Sequence, residues 1–273
     1  MVLTNMAYKA LAIDLDGTLL IGESLPDAHR DAVARAHKAG LEIIIATARW
    51  RQMAERISSQ IGFSKPIIAC SGAQVFIPGE GDIFDHRLPD AFVSDLYELC
   101  NAERCLATVT LDEAVVLKLD GEPNLALLPD EMMWVPRLET GAHARPRIAA
   151  IQGTAIGSMV KDDLWPAFRD QVNIYDSIGP SGKIVITITA KAASKGEALL
   201  ASCSHLGISP AEVIAFGDSG NDIEMFRVAG ASVAMGQAEE SVKSAATLVT
   251  RANTEEGVAI VIDRLLQTGK LEG

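Results

Sequence analysis

The chain has 273 residues, 48% of them hydrophobic, and carries 36 Asp and Glu against 24 Lys and Arg, a formal charge of −12. That apolar share excludes a disordered polymer, and the length suits two domains of roughly 100–200 residues each. The acidic balance repels nucleic acid and anionic membrane surfaces, and neither is expected as a partner.

In chain order, residues 10–13 predict a strand, 27–39 a helix, 41–47 a strand, 50–61 a helix and 66–70 a strand. The second strand, with Leu41, Ile43, Ile44 and Ile45, is almost continuously apolar, as a parallel strand covered on both faces requires. The rhythm changes between 84 and 189. There, strand patterns at 106–110, 114–119, 148–152, 173–175 and 184–189 accompany helical patterns at 91–101 and 159–170, a loop over 136–146 and a turn over 177–182. The alternation then returns, with helices at 195–205, 221–228, 239–246 and 255–266 and strands at 212–216, 232–235 and 248–250. The expected fold class is therefore α/β, with one parallel sheet built from 1–83 and 190–273 and an α+β domain inserted over 84–189.

Two acid groups directly follow apolar runs. Asp14 and Asp16 follow Leu11-Ala12-Ile13 and lie two apart, so an extended chain points both to the same side, with Gly17 to turn the backbone. A calcium loop is ruled out, because its twelfth position is Leu25 and a strand, not a helix, precedes it. Acids capping the next helix remain the alternative. Asp218 and Asp222 follow Val213-Ile214-Ala215-Phe216-Gly217, where two carboxylates suit a hard divalent cation such as Mg²⁺; helix capping by Ser219 or Asn221 is the competing explanation.

Lys195 sits in Ser194-Lys195-Gly196-Glu197, a capping-box pattern that places a cation in the first helical turn. This opposes the helix dipole by about 0.3–1 kcal/mol, which fits either an anionic partner or a solvated lysine. Thr47, followed by Ala48 and Arg49, ends the second strand and suits either a phosphate clamp, with its hydroxyl beside free backbone N–H groups, or an ordinary N-cap.

Together, Asp14-Leu15-Asp16-Gly17-Thr18, Thr47, Lys195 and Gly217-Asp218 through Asp222 resemble, in order, the four motifs of the haloacid dehalogenase-like superfamily. The insert length, the segment from Val213 to Phe226, Val233-Ala234-Met235-Gly236 and Glu256-Gly257-Val258-Ala259 resemble its Cof-like sugar-phosphate phosphatases with a type IIB cap. Three positions depart from that group's pattern: Ala48, Ser71 and Gln237 stand where it commonly has Gly, Asn and Asn.

The resemblance implies a Rossmann-like parallel-sheet core with a type IIB α+β cap that closes over the site and selects the leaving group. It further implies Asp14 as nucleophile, forming an aspartyl-phosphate, and Asp16 as general acid and then base. Mg²⁺ is implied at Asp14, the Asp16 backbone carbonyl and Asp218, with Asp222 in or near the shell. Thr47, Ala48, Lys195 and Asn221 are implied around the phosphate. The implied partner is a small phosphorylated metabolite, foremost a sugar phosphate; a phosphomutase resembling phosphomannomutase and a non-catalytic ligand-binding regulator are the alternatives. In the insert, Arg137, Arg145 and Arg147 either grip a second anionic group or form a solvated basic loop, and Trp134 and Trp165 either stack on a sugar or pack in the core.

The cysteines Cys70, Cys100, Cys105 and Cys203 form no C-x-x-C pair, and the histidines do not flank them at zinc-ligand spacing. With no signal-like N-terminus and no apolar run near the ~20 residues of a membrane span, a reduced cytoplasmic setting is expected.

Overall fold

The computed structural model describes residues 7–112, 114–139, 145–178 and 184–271. It divides into two compact units, Met1–Phe84 with Ser194–Gly273 and the intervening Asp85–Ala193. No helix among the described residues is long and apolar enough to cross a membrane.

The chain begins with β1 (Ala10–Asp14), α1 (Asp27–Lys38), β2 (Glu42–Ala46), α2 (Arg51–Ser59), β3 (Ile67–Ala69), β4 (Gln74–Ile77) and β5 (Gly81–Asp85). Next come α3 (Asp90–Ala102), β6 (Leu106–Thr110), β7 (Val115–Lys118), β8 (Met132–Val135), β9 (Ile148–Gln152), α4 (Thr154–Met159), α5 (Trp165–Phe168), β10 (Val172–Ile178) and β11 (Ile184–Ala190). It closes with α6 (Lys195–Leu206), β12 (Val213–Gly217), α7 (Ile223–Val228), β13 (Ala231–Ala234), α8 (Glu240–Ala245), β14 (Leu248–Val249) and α9 (Gly257–Thr268).

In the first unit, the strands run in the order β14-β13-β12-β1-β2-β3-β4-β5. Pairing is parallel from β14 through β3 and turns antiparallel at β4. Every residue of β1 and β12 is buried, which is why both read as unbroken apolar runs. Ile13 pairs with Phe216, so the two acid-bearing strand ends are neighbours at one edge of the sheet. That is the carboxyl end of parallel strands, where open α/β sheets hold their ligands.

The second unit is a six-stranded sheet, β10-β11-β9-β6-β7-β8, antiparallel except for the β7–β8 pair. Phe92, Leu96, Val109, Ile151, Ile186 and Ile188 lie in its core.

The structure differs from the sequence expectations in several places. β4, β5 and β8 are additional strands, each short and without clean alternation. The helix expected over 159–170 starts earlier, at Thr154, and passes through a π-helical turn at Val160–Leu164. Pro166 explains the widened turn, since it lacks an N–H and crowds the carbonyl four residues back. The helix expected over 221–228 opens with a 3₁₀ turn at Gly220–Asp222. Ser177, expected in a turn, belongs to β10; the rest of that turn from 179 on, and 140–144 of the expected loop, lie outside the described residues.

Candidate active site

The site is built where β1, β2 and β12 end and α6 begins. Asp14, the last residue of β1, is 4% exposed. Lys195 enters from the first turn of α6, whose N-cap Ser194 accepts from the Glu197 N–H. Its ammonium donates to Asp14 Oδ1 at 2.7 Å and to Asp222 Oδ1 at 2.6 Å, with all three side chains buried. The dipole-opposing placement of Lys195 thus has a local cause: two buried carboxylates hold it.

Asp222 uses its other oxygen to tie the loop after β12. Oδ2 accepts from the Asp218 N–H (3.1 Å), the Ser219 N–H (3.0 Å) and the Ser219 hydroxyl (3.1 Å). Helix-cap chemistry and site chemistry therefore coincide in one residue. One oxygen each of Asp14, Asp218 and Asp222 lie within 4.8 Å of one another.

Three glycines permit this crowding. A Cβ on Gly17, at φ +78°, would lie 2.1 Å from Asp218 Oδ2; one on Gly217 would lie 2.4 Å from Asp222 Cγ. Gly72, at φ +93°, packs directly on the start of α6, its missing Cβ 2.2 Å from the Ser194 carbonyl. The two residues before it, Cys70 and Ser71, also have positive φ, an uncommon state for non-glycines. Their N–H groups donate to Arg49 O and Thr47 O, which pins this turn to the end of β2. The Ser71 hydroxyl is buried and has no hydrogen-bond partner among the described residues.

Electrostatically the site is over-supplied with acid. Burial raises Asp14 well above the usual carboxylate range, Lys195 pulls it back, and Asp222 and Asp218 push it up further. Burial and the nearby Asp222 raise Asp218 to about 7, against the pull of Lys195. Burial opposes the Lys195 charge, but Asp14 and Asp222 outweigh it and hold the ammonium above the ordinary lysine range. Three crowded carboxylates against one ammonium leave a negative excess, and an all-oxygen donor set of this kind fits a hard divalent cation.

The remaining expected residues are placed as follows. Thr47 is buried, and its hydroxyl accepts from the Arg49 N–H at 3.1 Å, an ordinary turn-capping contact. Ala48 is exposed at that turn, and Asn221 accepts from the Ser219 hydroxyl at 2.7 Å. The Asp16 carboxylate stands apart from the acid cluster: it is exposed and paired with Arg49, which also holds Glu23. Gln237 donates to Gly17 O and accepts from the Asn253 N–H, bracing the turn after β1 from behind. Sequence reasoning assigned no role to Arg49, Gly72 or Gln237; only the positions of Arg49 and Gln237 beside recognisable motifs offered a signal.

In the second unit, Arg147 is neither an open anion grip nor solvated. It is 3% exposed, bonded to Asp85 and to the carbonyls of Leu111 and Asp112. Arg145 is exposed and 3.5 Å from Asp90, and Arg137 is exposed. Trp134 is half-buried with its indole N–H on Leu119 O, whereas Trp165 is 38% exposed.

Residues 11–262 match the family model of haloacid dehalogenase-like hydrolases, and the chain belongs to that family. It is 30% identical to the 5-amino-6-(5-phospho-D-ribitylamino)uracil phosphatase YwtE of Bacillus subtilis, over 94% of this chain and 98% of that protein. It is 27% identical to the pyridoxal phosphate phosphatase YbhA of Escherichia coli, over 93% and 97%. Among solved structures, the subclass IIB sugar phosphatase BT4131 superposes with a TM-score of 0.79 at 26% identity, covering 94% of this chain and 98% of that one.

Proposed function

We propose that this chain is a Mg²⁺-dependent phosphatase of small phosphate monoesters, foremost sugar phosphates, acting through an aspartyl-phosphate on Asp14. The observation that carries this reading is the Asp14 carboxylate itself. It is buried at a strand end, 2.7 Å from the Lys195 ammonium and within a cluster of three acids that outnumber the single cation beside them. The named phosphatase activities of YwtE, YbhA and BT4131 support it.

Asp14 would attack phosphorus, because a carboxylate forms an acyl phosphate that water readily hydrolyses. Lys195 neutralises charge on Asp14 and on the transferring oxygens, where most of the catalytic benefit in phosphoryl transfer lies. Asp14, Asp218 and Asp222 supply carboxylates for Mg²⁺, with the Asp16 backbone carbonyl as a further donor. When bound, that ion would neutralise phosphate charge beside the nucleophile. Thr47, Ala48 and Asn221 line the turns that would receive the remaining phosphate oxygens. Asp16 would give its proton to the leaving oxygen and later take one from water. In the present arrangement both its oxygens accept from Arg49, so it must leave that pairing to do so.

The test is a panel of phosphorylated metabolites assayed with Mg²⁺ for phosphate release, followed by borohydride trapping of the phosphoenzyme and peptide mapping. Label at Asp14 is the expected result. Release without label at Asp14 would overturn the covalent mechanism, and isomerisation without release would point to a mutase.

A further inference from the structure

Cys105 lies in the second unit, at the turn between α3 and β6, next to a buried lysine. Lys118, 2% exposed, has three N–H donors and three acceptors: Glu103 O at 3.0 Å, Asp120 Oδ1 at 2.9 Å and Cys105 Sγ at 3.7 Å. A neutral thiol is a weak acceptor and a thiolate a strong one, so the third contact favours charge on sulfur. On its other side the Cys105 thiol donates to the carbonyl of Cys100, in the last turns of α3, at 3.6 Å, which brings the two residues together.

We propose that Cys105 is an oxidant-reactive thiol and Cys100 its resolving partner, so that a peroxide converts the pair into a reversible Cys100–Cys105 disulfide. The Cys105 thiolate attacks one oxygen of hydrogen peroxide, the O–O bond breaks, and hydroxide leaves as water after taking up a proton. The resulting sulfenic acid is attacked by the Cys100 sulfur, the S–OH bond breaks, and a second water leaves with the Cys100 proton. Two thiols and one hydrogen peroxide give one disulfide and two waters; the sulfurs lose two electrons and the peroxide oxygens gain them.

The two thiols are unequal in the sense this chemistry needs. The neighbouring Cys100 side chain draws Cys105 down to about 7 against burial, with Lys118 assisting. The neighbouring Cys105 side chain and burial push Cys100 up. Cys105 is 7% exposed, while its chain neighbour Arg104 is exposed and the Asp120 side chain on Lys118 is 45% exposed. Cys203, pushed up to about 11 by burial, and buried Cys70 are built-in controls.

The test treats the full chain with hydrogen peroxide, blocks free thiols with N-ethylmaleimide, and maps peptides by mass spectrometry. A Cys100–Cys105 disulfide is expected, formed roughly tenfold or more faster than any oxidation at Cys203 and reversed by dithiothreitol. In Cys100→Ser, dimedone should label Cys105 as sulfenic acid. Lys118→Gln should slow Cys105 alkylation at neutral pH and move its midpoint upward. Equal oxidation of all four cysteines, or no dimedone label in Cys100→Ser, would overturn the proposal. So would an unchanged Cys105 midpoint in folded Lys118→Gln; if that variant does not fold, the Cys100→Ser labelling decides.

Discussion

Arg49 donates to both carboxylate oxygens of Asp16, at 2.9 Å from Nε and 2.6 Å from Nη2, while also holding both oxygens of Glu23. One guanidinium from the end of β2 therefore fixes two points of the loop between β1 and α1. Such bidentate pairing sets direction as well as distance. Asp16 leaves this fork to react, but the fork also holds the loop that carries it. Arg49→Ala should therefore lower kcat by roughly 10- to 100-fold through misplacement of that loop. Steady-state kinetics on an aryl phosphate check this. Arg49→Lys should rescue little, since an ammonium lacks the fork. An unchanged kcat in Arg49→Ala would remove Arg49 from the placement of that loop.

Asp14→Asn should abolish turnover while keeping the fold, because the amide neither attacks phosphorus nor disturbs a well-packed strand end. Phosphate release and far-UV circular dichroism measure the two halves of that statement. Residual turnover near the wild-type level would exclude Asp14 as the nucleophile.

Lys195→Met leaves Asp14 and Asp222 buried without their shared cation, a loss of about 3–5 kcal/mol for a broken buried pair. Thermal melting should show the drop. Mg²⁺ should raise the Tm of the wild type, by an amount equivalent to about 2.7 kcal/mol at a hundredfold excess over Kd, as expected for an ion that binds the folded state alone. Asp218→Asn should abolish that Mg²⁺-dependent shift.

Gly72→Ala and Gly40→Ala form a matched pair. Both glycines have positive φ, +93° and +97°, but a Cβ at Gly40 meets nothing within 4 Å whereas one at Gly72 strikes Ser194. Gly40→Ala should cost about 1–2 kcal/mol, the left-handed penalty alone. Gly72→Ala should cost more and also displace Lys195, so that activity falls in one variant and persists in the other.

At acid pH the second unit should weaken through Asp85. Burial raises its pKa, but hydrogen bonds from Arg147 and Arg87 outweigh this and hold it below the ordinary value of 3.8. A carboxyl depressed on folding contributes stability above its unfolded pKa and loses it as pH falls through the lower folded value. Melting curves between pH 5 and 2 (about the range in which carboxyls titrate) should therefore fall more steeply for the wild type than for Asp85→Asn.

Strand ends were legible where an unbroken apolar run meets acids, as in Ile13-Asp14 and Phe216-Gly217-Asp218, because a buried parallel strand and a polar rim leave opposite signatures in consecutive residues. Ser194 and Glu197 marked the start of α6 because capping is local. The Arg49–Asp16 pair was not legible, since no periodicity links residues 33 apart on different loops. Nor was the seat of Gly72 against Ser194, which depends on β3 and α6 being neighbours in space. β5, Gly-Asp-Ile-Phe-Asp, is too short and too half-buried to separate from a turn. Arg147 reads as basic loop until Asp85, 62 residues earlier, is placed beside it.

The pairing of β1 with β12 has a consequence for synthesis. Thr18 and Asp218, which meet at 3.5 Å, are separated by 200 residues, so at ~5–20 residues per second the N-terminal half waits roughly 10–40 s for its partner. During that interval β1, central in the finished sheet, is an open edge with unpaired backbone groups and an apolar face. Chains stalled before Val213 should therefore be the form that chaperones engage, and shortened expression products ending there should aggregate rather than yield half an enzyme.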